Sequence, residues 1–199
     1  LYLIIIIAIL FIFFNSENNF LNILVSLSSS VSNLGISLKN IPSNLSFIFL
    51  ILVIIGGSFF STSSGLRVIK ILSLLKYSLN NLLSNTKPNQ IYLNKVALLK
   101  ASTDKSDVNK YFLTVLVFII SLFVVSSLLT ISGIKFENSF KLGILTIMNT
   151  VNSSMYGLPD FNFYNINIMS KFTLILFMII GRIELLTILI LIKKFLFKN

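Results

Sequence analysis

The sequence predicts an all-α integral membrane protein built from two copies of one unit: a spanning helix, a short helix that dips in and returns, and a second spanning helix. Three observations predict it. Of the 199 residues, 55% are hydrophobic and only 11% charged, with a mean hydropathy of +0.94. A soluble domain of this length has too little interior to hide so much apolar surface. Uncharged runs reach the length of a membrane span, and the pattern of long and short segments repeats once along the chain.

A hydrocarbon core of about 30 Å takes roughly 20 helical residues to cross. The chain opens inside an apolar run, Leu1–Phe14 ("LYLIIIIAILFIFF"), with no basic stretch before it of the kind that begins a signal peptide. It therefore reads as a piece of a longer protein that starts within a transmembrane helix. Asn18–Val31 ("NNFLNILVSLSSSV") is too short to cross and too apolar for a solvated loop. A re-entrant helix suits it, because non-helical backbone at membrane depth is tolerated only where it is buried or lines a wet cavity. Leu45 to Lys76 is a further span, but one interrupted by "GGSFFSTSSG" from Gly56 to Gly65. Tyr111–Ile134 carries no charge and spans unaided. Asn138–Val151 ("NSFKLGILTIMNTV") is a second short segment, and Phe172–Ile192 a last span holding Arg182 and Glu184.

The repeat shows in the letters at an offset of 120. Glu17-Asn18-Asn19-Phe20 matches Glu137-Asn138-Ser139-Phe140, and Ser26, Ser30, Val31 and Ser32 meet Thr146, Thr150, Val151 and Asn152. The expected organisation is one helix–pore helix–helix unit over 1–83, with its first helix truncated, a linker over 84–109, and a second unit over 110–199.

The formal net charge is +10, yet the basic residues sit at the edges of apolar runs, as membrane topology requires. No nucleic-acid partner is implied. Arg67, Lys70, Lys76, Lys87, Lys95, Lys100, Lys105 and Lys110 are opposed only by Asp104 and Asp107, and the C-terminus adds Lys193, Lys194 and Lys198. The positive-inside rule makes the linker and the C-terminus cytoplasmic. The short segments then enter from outside, where Glu17, Glu137 and Asp160 lie. With no cysteine and no histidine, disulfides, thiolate metal sites and Ser-His or Cys-His catalysis are excluded. No carboxylate pair or nucleophile–base set is visible, so no enzyme is expected.

At this point the residues resemble a known family. "IGGSFFSTSSGLRVIKILSLLK", the Lys87-Pro88 pair and "GRIELLTILIL" are similar, in order and spacing, to signatures of the Trk/Ktr potassium uptake proteins. That family has four helix–pore helix–helix units around one pore, and this chain resembles the third and fourth over essentially its whole length. The resemblance implies potassium, or sodium, as the transported ion, with no covalent cofactor. It implies that the interruption in the third unit is a gate loop below the filter, carrying Gly56, Gly57, Ser58, Ser61, Thr62, Ser63, Ser64 and Gly65. Glycines free the backbone there, and hydroxyls can satisfy the released groups. The alternative is a kinked helix packed by small residues. Phe59 and Phe60 depart from the family's small residues. The resemblance puts Arg182 in the pore below the filter, as a barrier to cations. A direct Arg182–Glu184 pair is disfavoured, since residues two apart do not face each other on a helix.

The family's filter takes one strand from each unit, ending in glycine, so that backbone carbonyls replace the ion's hydration shell. A gapless count puts Ser29-Ser30-Val31-Ser32 on the third strand. The offset of 120 puts Asn149-Thr150-Val151-Asn152 on the fourth. The expected filter residues are thus Ser30, Val31, Ser32, Thr150, Val151 and Asn152, a degenerate filter in which Ser32 and Asn152 stand for glycines. Gly35 and Gly157 are the alternative glycines if the loops shift. The expected function is monovalent cation uptake as a pore-forming subunit, in a truncated or degenerate copy. The other reading is a non-conducting scaffold or split-gene remnant. Expected partners are the bilayer of the inner (plasma) membrane, a missing N-terminal half or second chain, and a second copy in a homodimer. A cytoplasmic nucleotide-binding regulatory subunit is implied by the resemblance alone.

Overall fold

The computed structural model describes Ile12, residues 20–36 and 45–55, Leu66, residues 68–86, 105–152, 154–158 and 161–182, and Lys194. Among the described residues six α-helices are bounded, in order: α1 (Phe20–Val31), α2 (Ser46–Ile55), α3 (Val68–Thr86), α4 (Lys105–Ile131), α5 (Phe136–Met148) and α6 (Ile168–Arg182). Two 3₁₀ turns, Ser154–Tyr156 and Phe163–Asn165, lie between α5 and α6. Every regular element among the described residues is helical.

The longest helix, α4, has neither glycine nor proline in its interior. Its stretch Asp107–Ile131 is, among the described residues, the one helix long and apolar enough to cross a membrane. Phe118, Leu122, Val125 and Leu129 are buried, at the i, i+4, i+7, i+11 spacing of a single helix face. Phe112, Ile120, Phe123 and Ile131 are exposed on the rest, a surface that lipid tails can cover. The helix stops three residues before the end of its apolar run. Gly133 (φ 94°) donates to the Thr130 carbonyl at 3.0 Å, and Ile134 donates to that of Leu129 at 3.3 Å. This is a Schellman exit, whose left-handed residue is cheapest as glycine.

Both short segments are helices, α1 of 12 and α5 of 13 residues. The second lies at the centre of the molecule, packed by α4 on one side, α6 on another and α2 on a third. Every residue from Leu142 to Met148 is buried. Close van der Waals fit brings such helices together. Gly143 shows how: a β-carbon there would stand 3.1 Å from Ser126 Oγ and 3.3 Å from Leu122 Cδ1 of α4. The other short helix, α1, packs on α2.

The single interrupted span expected over Leu45–Lys76 is described as two helices, α2 and α3. The residues of the expected gate loop, Gly56 to Gly65, lie outside the described residues. Helix α3 packs on α4 and exposes Leu75, Leu79, Leu82 and Leu83.

Candidate functional site

The two short helices leave their last turns in the same way. Asn33 (φ 60°) and Asn149 (φ 54°) are the two non-glycine residues with positive φ among the described residues. Asn33 donates to Ser30 O at 3.3 Å and Leu34 to Ser29 O at 3.0 Å; Asn149 donates to Thr146 O at 3.1 Å and Thr150 to Leu145 O at 2.9 Å. Both are Schellman exits with asparagine as the left-handed residue, the type that tolerates that region best after glycine. One turn earlier, Ser30 Oγ donates to Ser26 O at 2.9 Å and Thr146 Oγ1 to Leu142 O at 2.6 Å, both buried.

These pairs fix the register of the repeat. Phe20 with Phe136, Ser30 with Thr146 and Asn33 with Asn149 all give an offset of 116, one helical turn less than the 120 read from the letters. The difference has a direct consequence for the filter residues. Ser30 and Val31 are helical and Ser32 lies in the turn, whereas Thr150, Val151 and Asn152 lie beyond the end of α5. The gapless count therefore pairs helical residues with extended ones. At an offset of 116, Leu34, Gly35 and Ile36 correspond to Thr150, Val151 and Asn152.

These exit segments meet. Gly35 (φ 78°) is buried, and a β-carbon there would stand 2.5 Å from the Val151 carbonyl oxygen and 2.9 Å from its Cβ. Only glycine allows both that conformation and that approach. The first exit is held to its own helix by the Ile36 N–H, which donates to Ser29 Oγ at 2.7 Å. A contact of 3.7 Å between Ser30 Oγ and Met155 Sδ ties α1 to the segment after the second exit. Thr150 Oγ1 and Asn152 Oδ1 are buried with no hydrogen-bond partner. Val151 is 65% exposed.

Further along, Asn152 Nδ2 donates to Leu158 O at 3.5 Å, and Tyr156 is fully buried. Gly157 (φ 73°) meets other residues: a β-carbon on it would stand 3.0 Å from Ser46 Oγ at the start of α2 and 3.0 Å from Lys141 Nζ. Lys141 Nζ donates to Glu137 Oε1 at 2.6 Å and reaches Gly157 O at 3.5 Å. Hydrogen-bonded to and charge-paired with that ammonium, the exposed Glu137 carboxyl is held below the usual carboxylate range.

The last helix is locked against the second exit. Asn149 Nδ2 donates to Met178 O at 3.0 Å, and a β-carbon on Gly181 would overlap the Ile147 carbonyl oxygen. Arg182 is the last residue of α6, next to that contact; its side chain, and Glu184 with it, lie outside the described residues. Sequence reasoning missed Gly181, Lys141 and Asn33, and it set Asn149 on the expected fourth strand rather than at a helix end. A lone glycine in an apolar helix, and an asparagine closing an apolar run, were the available signals.

The fold defines a class: among the described residues, an all-helical protein in which two short helices, α1 and α5, bring their C-terminal exits together. No family profile and no curated protein matches the chain. Among solved structures it is similar to the potassium transporter TrkH from Vibrio parahaemolyticus, with a TM-score of 0.81 at 24% identity over 96% of this chain. The chain spans 42% of that protein's length. The likeness shows a TrkH-like fold.

Proposed function

We propose that the chain forms part of the pore of a monovalent cation uptake protein, supplying the third and fourth of four helix–pore helix–helix units. The observation that carries this reading is the meeting of the two short-helix exits at Gly35 and Val151. Two helix C-termini there turn the negative ends of their dipoles toward one place, which favours a cation. The unpartnered oxygens of Thr150 and Asn152 are further acceptors. Leu34-Gly35-Ile36 and Thr150-Val151-Asn152 are then the two filter strands, in place of the gapless Ser30–Ser32. The third unit keeps its glycine in Gly35, and the fourth carries Val151 at the same place. Potassium is the ion we assign, with weak discrimination against sodium because one strand departs from glycine. Gly56 to Gly65 serves as the gate and Arg182 as the barrier below the filter.

The protein resides in the inner membrane, paired with the remaining two units and a second copy, and a nucleotide-binding regulatory subunit docks on its cytoplasmic face. Potassium-dependent growth and rubidium uptake by the full-length protein, in a host lacking its own potassium uptake, test the reading. Uptake above the empty host is expected. Its absence in cells that hold the protein in the membrane would leave the scaffold reading. Orientation is tested separately. A cysteine at Ser102 should resist an impermeant thiol reagent in intact cells and react after permeabilisation, because the basic excess of the linker holds it inside.

A further inference from the structure

We propose that Lys141 is a positioning residue that braces the outer segment Asn152–Leu158 behind the fourth filter strand; this rests on the transport reading above. Helical side chains lean toward the N-terminus, so Lys141, on the second turn of α5, reaches back to the outer end. There it meets Glu137 one turn earlier at 2.6 Å, the Glu-to-Lys order that suits a helix. Its side chain is only 16% exposed, although a lysine at such a place can usually reach water. The cause is Gly157, whose missing side chain leaves room for the ammonium, and whose carbonyl lies 3.5 Å away. That distance is long for a hydrogen bond but close for attraction between a charge and a carbonyl dipole.

The braced segment is the one that returns from the filter strand. It is closed by Asn152 on Leu158, contacts α1 through Met155, and packs on α2. Lys141 thus fixes the far end of a loop whose near end is Thr150-Val151-Asn152. Position 25 corresponds to it in the first short helix at the offset of 116, and holds Val25, half exposed. The brace belongs to one unit only.

Two measurements on the full-length protein test this. In purified protein, Lys141→Met should speed amide hydrogen exchange across 152–158 by about fivefold, the effect of one lost charged contact, while the α4 core at Phe118–Leu129 exchanges as before. In cells the same variant should lower the potassium-to-sodium uptake ratio severalfold. Lys141→Arg should restore both, and Glu137→Gln should shift both in the same direction by less. Unchanged exchange at 152–158 in Lys141→Met overturns the brace. So does faster exchange with an unaltered uptake ratio, which would make the segment peripheral to the ion path. If the unsubstituted protein takes up no ion, the transport reading fails and the exchange measurement alone decides the brace. Should Lys141→Met not accumulate, Glu137→Gln carries the same two readouts.

Discussion

Replacing Gly181 with alanine is expected to deplete folded protein from the membrane. The added methyl meets a backbone oxygen, Ile147 O, which cannot swing aside as a side chain would. The two helices must separate, and the Asn149 bond to Met178 O stretches with them. Overpacking of this kind costs about 1–3 kcal/mol, a large part of the 5–15 kcal/mol that typically holds a domain folded. Gly143→Ala is the control. Its methyl meets the Ser126 hydroxyl and a Leu122 methyl at 3.1 and 3.3 Å, side-chain atoms rather than backbone and less closely approached, and the loss should be smaller. Thermal unfolding in detergent and the amount of protein in isolated membranes should both rank unsubstituted, Gly143→Ala, Gly181→Ala. Equal stability of the two variants would mean that α5 and α6 are not locked at Gly181.

Substitution of Gly35 is expected to change what the protein does more than whether it folds. Alanine at φ 78° costs about 1–2 kcal/mol in the left-handed region, and its methyl would stand 2.5 Å from the Val151 carbonyl oxygen. Either the Gly35 backbone or that carbonyl must move. Gly35→Ala should therefore lower potassium uptake and reduce the preference for potassium over sodium at least severalfold. Ser32→Gly should leave both unchanged, because Ser32 is exposed and its hydroxyl bonds back only into its own helix, to Ser28 O at 2.7 Å and Ser29 O at 3.3 Å. The pair separates the two filter registers. If Ser32→Gly sharpens discrimination while Gly35→Ala does nothing, the gapless register returns.

Much of the fold could be read from the letters because hydrophobicity in a membrane is nearly a length code. Tyr111–Ile134 reads as a span and forms the body of α4. Asn18–Val31 and Asn138–Val151 read as short helices and form α1 and α5 to within three residues at each end. The difference between the two offsets has a physical cause. Four residues make about one turn, so a repeat read at 120 instead of 116 still puts similar residues on similar faces, and only the caps reveal the slip. The caps themselves were hidden because asparagine, not glycine, takes the left-handed position at Asn33 and Asn149. With that signal absent, the gapless count falls on Ser30 and Val31, which are helical in α1. Gly181 lies beside the charged Arg182 in the sequence. Its packing role depends on a neighbour 34 positions earlier, Ile147, which no local pattern announces.

The matched exits of α1 and α5 bear on how such a chain changes over generations. At the offset of 116 Leu34 stands against Thr150, Gly35 against Val151 and Val25 against Lys141. The left-handed turn and the back-bonded hydroxyl are common to both. A swapped side chain is forgiven by a neighbour that shifts, whereas a frayed helix end strands carbonyls in a medium without water to receive them. Were the two segments copies of one unit, drift would erode spelling faster than punctuation. Descendants of a common unit, once their letters no longer align, remain recognisable by where their helices stop.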